Sequence, residues 1–254
     1  MRIILVTIGS LIFSLIVFWT VKFWGRGLTY TDYSHPLFTY AAQKQGPIYF
    51  TKPSAVNVES SFDTIDNLYL DVATTEDQQL VVAKKHWENK QKPIRYSKFS
   101  DIQSDVVRLR DVIPKLTNRK FIFNLSENAQ AGHMIFYDEL KLLGLQNGDN
   151  FIVTSPYEAL AKALKEVAPA YIYGSTQPEI LKITAMKSMW LIEALTLRAD
   201  VVIHALKIKN EKFYDPTLIN ELKRRHKKFI VGPISPDDIA EATGLNPWGI
   251  VLFR

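Results

Sequence analysis

Two strand-like runs, LYLDV and LVVA, flank the polar turn TTEDQQ and end on groups able to do chemistry. The first closes near one carboxylate, Asp71, and the second runs into two ammonium groups, Lys84 and Lys85. A carboxylate beside a lysine pair admits three readings: a reaction centre, an anion site, or ordinary loop charge. A lysine holds phosphate as a point charge. A lone carboxylate holds a hard cation only with the help of further oxygens. Similar groups close other apolar runs: Thr51 and Lys52, then Asn124, Ser126 and Glu127, and lastly His204. His204 reads as a hydrogen-bonded structural histidine, with a pocket base as the alternative. Glu127 reads as an exposed loop acid, with a displaced metal ligand as the alternative. The chain has no cysteine, which excludes disulfides, thiolate metal sites and a cysteine nucleophile.

Something must position these groups. Short β-branched and aromatic runs recur at 47–51, 67–72, 120–125, 150–155, 170–174, 199–204, 228–232 and 249–253, with LVVA at 80–83 as an extra strand. Helical patterns lie between most of them. GHMIFYDELKLLGL has apolar residues at helical spacing, and SPYEALAKALKEVAP is expected to open on a Ser155 cap and close before Pro169. PEILKITAMKSMWLIEALTL starts with proline in its first turn, and DPTLINELKRRHKK and SPDDIAEATGL follow the same scheme. His133, at the start of one helix, reads as a capping or solvent-facing residue. Met189 and Trp190 read as outer-ring core or membrane-facing contacts.

Strands alternating with helices imply right-handed βαβ crossovers and a parallel sheet. Eight such units within the 254 residues predict an α/β protein with a (β/α)₈ TIM barrel. The runner-up is an open doubly wound sheet, but no GxGxxG follows the first strand. In a barrel, chemistry gathers at the C-terminal strand ends. LVVA then becomes the return arm of a hairpin on the second barrel strand.

Residues 3–21, IILVTIGSLIFSLIVFWTV, carry no charge and are long enough to span hydrocarbon as a helix. The run exceeds a usual signal-peptide core and lacks a small-x-small cleavage site, so a retained signal anchor is expected over 1–26. Trp19, Phe23 and Trp24, followed by Arg26, resemble an interfacial belt with a snorkelling cation. The expected order is anchor, linker at 27–45 and barrel at 46–254, in a single-pass membrane protein with its barrel exported. The formal net charge is +5, with basic residues dispersed rather than striped among aromatics, so no nucleic-acid partner is expected. KRRHKK at 223–228 reads as a solvated helix end, since cations favour helix C-termini.

The order of segments resembles the glycerophosphodiester phosphodiesterase family, within the phosphatidylinositol-phospholipase-C-like phosphodiesterases. That family opens with a strand ending AHRG and then ENTLAAF; here YFTKP and VNVESSF stand in those places. Its ELDVQLTKDGVPVVFHD matches YLDVATTEDQQLVVAKK without a gap, and SSFDPEALKALRELAP resembles TSPYEALAKALKEVAP. The resemblance covers roughly residues 46–254. It implies two catalytic histidines and a carboxylate-bound divalent cation, Mg²⁺ or Ca²⁺. It places the first histidine at Thr51 and the arginine after it at Lys52. The ENT glutamate falls on Val56 and its asparagine on Asn57. The acids of ELDV fall on Tyr69 and Asp71, the second histidine on Lys84, and the IEIK glutamate and lysine on Asn124 and Ser126.

Of these, Asp71 and Asn57 alone keep the family's residue type. Losing proton transfer costs on the order of 10²–10⁴ per group, and losing the metal removes several kcal/mol more of transition-state stabilisation. Asp71 with the neutral Asn57 and Asn124 is a poor cage for a hard cation. The expectation is therefore a catalytically impaired homologue without a cofactor. Its ligand-binding residues would be Lys52, Asn57, Asp71, Lys84, Asn124 and His204, and its ligand a phosphoester or phospholipid headgroup. The alternatives are a diverged phosphoric diester hydrolase using Asp71, Lys84 and His204, and an envelope scaffold that binds a protein partner. Asn124-Leu125-Ser126 is also an N-x-S sequon, relevant only in a eukaryotic secretory setting.

Overall fold

A computed structural model describes residues 2–31, 34–42, 46–53, 67–83, 93–116, 118–129, 131–209 and 211–253. Its strands are β1 (Ile48–Lys52), β2 (Asn67–Thr74), β3 (Leu80–Ala83), β4 (Val106–Arg108), β5 (Lys120–Leu125), β6 (Phe151–Thr154), β7 (Ile172–Tyr173), β8 (Val201–His204), β9 (Lys207–Ile208), β10 (Glu211–Lys212), β11 (Lys228–Ile234) and β12 (Gly249–Phe253). Its α-helices are α1 (Arg2–Gly27), α2 (Pro36–Ala42), α3 (Phe99–Ile102), α4 (Leu109–Val112), α5 (Gly132–Leu142), α6 (Glu158–Val167), α7 (Gln177–Ser188), α8 (Pro216–Arg224) and α9 (Ile239–Gly244).

The strands β7, β6, β5, β2, β1, β12, β11 and β8 pair in that order, all in parallel. The remaining seam, between β7 and β8, is bridged by Gly174 with Val201. There the Ser175 hydroxyl donates to the Ile203 carbonyl and accepts from the Ile203 N–H. The result is a nearly closed TIM-type barrel of eight parallel strands with helices around it. β3 folds back antiparallel on β2, as a return hairpin should, and passes the edge on to β4.

Period-2 alternation sorts the strand residues into two layers. Ile48, Phe50, Tyr69, Ile122, Ile152, Ile172, Val201, Ile230 and Val251 fill the barrel interior. Their neighbours face the helices: Leu68, Leu70, Phe121, Phe123 and Val153 against α5 and α6, and Val202, Phe229, Val231 and Ile250 against α7 and α8. Helices α6 and α8 present i, i+4 leucine pairs to that layer: Leu160 and Leu164 on α6, Leu218 and Leu222 on α8, all buried. Burying one such leucine contributes about 1.5–3 kcal/mol. Asp215 caps α8 by accepting from the Leu218 N–H at 2.8 Å, and Pro216 fits its first turn.

The N-terminal ends of the strands form the barrel's floor. Here α2, within the segment read as a linker, packs its fully buried Leu37 into the interior cluster beside Trp248. Helix α1 meets the same end. The α8–β11 connection is not the solvated charge run the sequence suggested. Arg225 is 3% exposed, and its guanidinium donates to the carbonyls of Ile192, Glu193 and Leu195 and to Glu221. Three further expectations change. Ser155 does not cap α6; its hydroxyl accepts from the Tyr157 N–H and donates to the Leu125 carbonyl. The long helical pattern after Pro178 ends at Ser188, where Trp190 takes a left-handed φ of 58°. Met189 and Trp190 consequently lie past the helix and are exposed rather than part of an outer core.

Candidate functional site

At the C-terminal mouth, the top interior layer is built from the ends of β1, β2 and β5. Register sets Asp71 level with Asn124. Lys52, two residues beyond the inward-facing Phe50, comes from the next strand. These side chains meet: the Lys52 ammonium lies 2.7 Å from Asp71 Oδ2, and the Asn124 amide donates to Asp71 Oδ1 at 2.7 Å. Lys52 also sits over the Tyr69 ring at 5.1 Å and the Phe253 ring at 5.5 Å, both within cation–π range. Tyr69 is buried. Burial first, and Asp71 second, push its phenol far above the ordinary tyrosine range, so it stays neutral and acts as an aromatic wall.

The described residues at this site do not fit a divalent cation. An ammonium and an amide N–H already take the one carboxylate, on both of its oxygens, and a hard cation needs several further oxygens. Among the described residues no group of three or more His, Asp or Glu side chains gathers as metal ligands do.

The other expected residues fall elsewhere. Thr51 is buried, and its register partners Leu68 and Leu252 belong to the helix-facing layers, so its pleat position turns away from the interior. His204 is not a pocket residue. β8 lies across the barrel from β2, and His204 follows the inward-facing Ile203. Its ring packs on Phe213 at 4.6 Å, its Nδ1 lies 3.1 Å from the Ala205 carbonyl, and burial lowers its pKa. Glu127 is not a loose loop acid either: its two oxygens accept the N–H groups of Ile94 and Arg95, at 3.0 and 2.8 Å. It thereby ties the segment returning from the β3 edge to the end of β5. Ser126 donates to the Val72 carbonyl and locks the β2–β5 ends. His133 lies half-buried in the first turn of α5. Val56, Asn57, Lys84 and Lys85 lie outside the described residues.

Sequence reasoning named Tyr69 only as the place of a lost acid and missed Phe253, so the aromatic wall that the two form around Lys52 was not foreseen. The signal was present in the alternation, since both sit in phase with Phe50 and Asp71 on neighbouring strands. Gly232 is a second omission: its φ is +140°, and a Cβ there would lie 2.5 Å from the Val251 carbonyl oxygen. Only glycine lets β11 approach β12 this closely at the mouth.

The comparisons bear on this geometry. No known family model and no curated protein sequence matches the chain. Solved structures do. The chain is similar to a glycerophosphodiester phosphodiesterase from Agrobacterium tumefaciens, with 14% identity and a TM-score of 0.57 over 81% of this chain and 96% of that one. It is similar to the glycerophosphoryl diester phosphodiesterase domain of a Mycobacterium tuberculosis protein, with 10% identity and a TM-score of 0.60 over 82% and 96%. The chain has the glycerophosphodiester phosphodiesterase fold. A third structure with this fold is an Oleispira antarctica phosphodiesterase in complex with its product sn-glycerol-3-phosphate, at 12% identity and a TM-score of 0.55 over 82% and 92%. At these identities the likeness is one of fold. The chemistry must be argued from the mouth itself.

Proposed function

We propose that this is a membrane-anchored glycerophosphodiester phosphodiesterase-like barrel, impaired in hydrolysis, whose mouth binds a phosphoester without a metal. The observation that carries the reading is the Lys52–Asp71–Asn124 cluster. Where the resemblance puts a carboxylate-bound cation, an ammonium sits at 2.7 Å from the remaining carboxylate. The ammonium supplies a positive charge and N–H donors for a phosphoryl oxygen, but not the Lewis acidity of a metal ion. Helix α1 supports the anchor: Val6–Gly27 is apolar and long enough to cross a membrane, and its most apolar stretch is unburied by the barrel.

The probe is sn-glycerol 3-phosphate, the product held by the Oleispira antarctica protein. Titrating it into the full chain in detergent micelles with chelator present should give saturable binding. Lys52→Met should weaken it by about 10- to 150-fold, the loss of one charge-assisted hydrogen bond worth about 1.5–3 kcal/mol. Absent binding, or equal binding by wild type and variant, would overturn the proposal.

A further inference from the structure

The end of the span is built into the barrel floor. Gly25 is buried against the 3₁₀ turn Ile192–Ala194, and a Cβ there would lie 2.2 Å from the Glu193 carbonyl oxygen. Arg26 pairs with Glu193 at 3.0 Å. Arg224 donates to the carbonyls of Gly25 at 3.0 Å and Leu28 at 2.9 Å, which terminates α1 on the α8–β11 connection. Both seats precede strands β8 and β11, so α1 leaves the barrel at the face opposite the Lys52–Asp71 mouth.

Beside this seat the surface changes character. Met189 is 51% exposed and Trp190 74%. Trp190 also holds a φ of 58°, a backbone region that bulky side chains rarely adopt. Its N–H closes on the Lys187 carbonyl, and the Leu191 N–H closes on the Met186 carbonyl, so the strained turn is fastened on both sides. These two bonds are the Schellman pair that closes α7, and they place Trp190 at its left-handed cap position, clear of the helix. Tryptophan, with one apolar face and one N–H, belongs at the headgroup level of a bilayer. One residue, Leu191, separates Trp190 from the turn on which the last turn of α1 rests. Lys223, exposed in the last turn of α8, and Lys228, the first residue of β11, add positive charge at the same end of the barrel, which favours anionic lipid.

We infer that the barrel lies floor-down on the bilayer that α1 spans, with Met189 and Trp190 inserted at the headgroup level and the Lys52–Asp71 mouth opening away from it. This rests on the membrane-anchor reading of α1. The mouth sits about 13 Å further along β2 than the floor, four residues at ~3.3 Å each. Headgroups of the same leaflet therefore do not reach it, and the phosphoester it takes is water-soluble.

The chain lacks cysteine, so single labelling sites are clean. Met189→Cys and, as a mouth-side control, Asn128→Cys would each carry an environment-sensitive fluorophore. The full-length variants are reconstituted into 3:1 phosphatidylcholine–phosphatidylglycerol vesicles. The expected result is a blue-shifted emission at position 189 that lipid-borne nitroxide quenches, with iodide quenching several-fold weaker than at position 128. Equal iodide quenching at both sites, in protein that resists carbonate extraction, would overturn the docking while the anchor stands. Release by carbonate would overturn the anchor reading and the docking together.

Discussion

Lys52→Met isolates what the ammonium contributes, because methionine keeps most of the apolar stem and removes the charge. Two contacts go with it. The ion pair to Asp71 joins side chains 15% and 30% exposed, between the surface case of about 0–1 kcal/mol and the buried case of about 3–5 kcal/mol. That places it at about 1–2 kcal/mol. The cation–π contacts with Tyr69 and Phe253 add about 1 kcal/mol, since the ammonium is largely desolvated. Lys52→Met should thus destabilise the chain by about 2–3 kcal/mol in urea unfolding of the detergent-solubilised protein. A double-mutant cycle with Asp71→Asn separates the ion pair from the rest and should return a coupling of about 1–2 kcal/mol. A coupling below about 0.3 kcal/mol, within the additivity error, would mean that the two charges merely face water, and the reasoning would be refuted.

Gly232→Ala should destabilise by about 1–3 kcal/mol, from the left-handed φ and the clash with Val251, read as a lowered unfolding midpoint; an unchanged midpoint would contradict the close approach. Glu127→Ala removes the acceptor of two backbone N–H groups, each worth about 1.5–3 kcal/mol, so amide exchange at Ile94 and Arg95 should accelerate well beyond that of the barrel strands. Burial holds the His204 pKa below its ordinary 6.5. The unfolded chain then binds more protons below that pH, and stability should fall as pH drops from 6.5 through the lower folded value. His204→Gln should flatten that part of the urea-midpoint profile, and an identical slope in the variant would exclude His204 as its source.

Most of the barrel was legible because its signals are local. KFIFNL, LVVA and GIVLF are strands over the bounds their composition implies, since β-branched and aromatic runs bounded by polar residues have few other options. The losses have tertiary causes. PLFTYAA reads as linker because one short helix carries too little periodicity; only the barrel floor gives Leu37 a place to be buried. The helix after Gln177 stops at Ser188 although LIEALTL continues its pattern, because Arg225 draws the carbonyls of Ile192, Glu193 and Leu195 into a separate turn. At the mouth, the identities of Lys52, Asp71 and Asn124 were readable from strand ends. Their mutual contact was not, since it depends on register across three strands. His204 reads correctly as a hydrogen-bonded structural histidine, while its alternative place in the pocket fails by a single step of alternation, which sequence cannot fix at the last residue of a strand.

The central claim is that an ammonium, not a divalent cation, answers Asp71 at the mouth. Turnover of glycerophosphocholine by the full chain, measured in Mg²⁺, in Ca²⁺ and in chelator, tests it most directly. The account predicts no metal-dependent release of glycerol 3-phosphate above the uncatalysed background. Turnover that requires either cation and disappears in Asp71→Ala would contradict it.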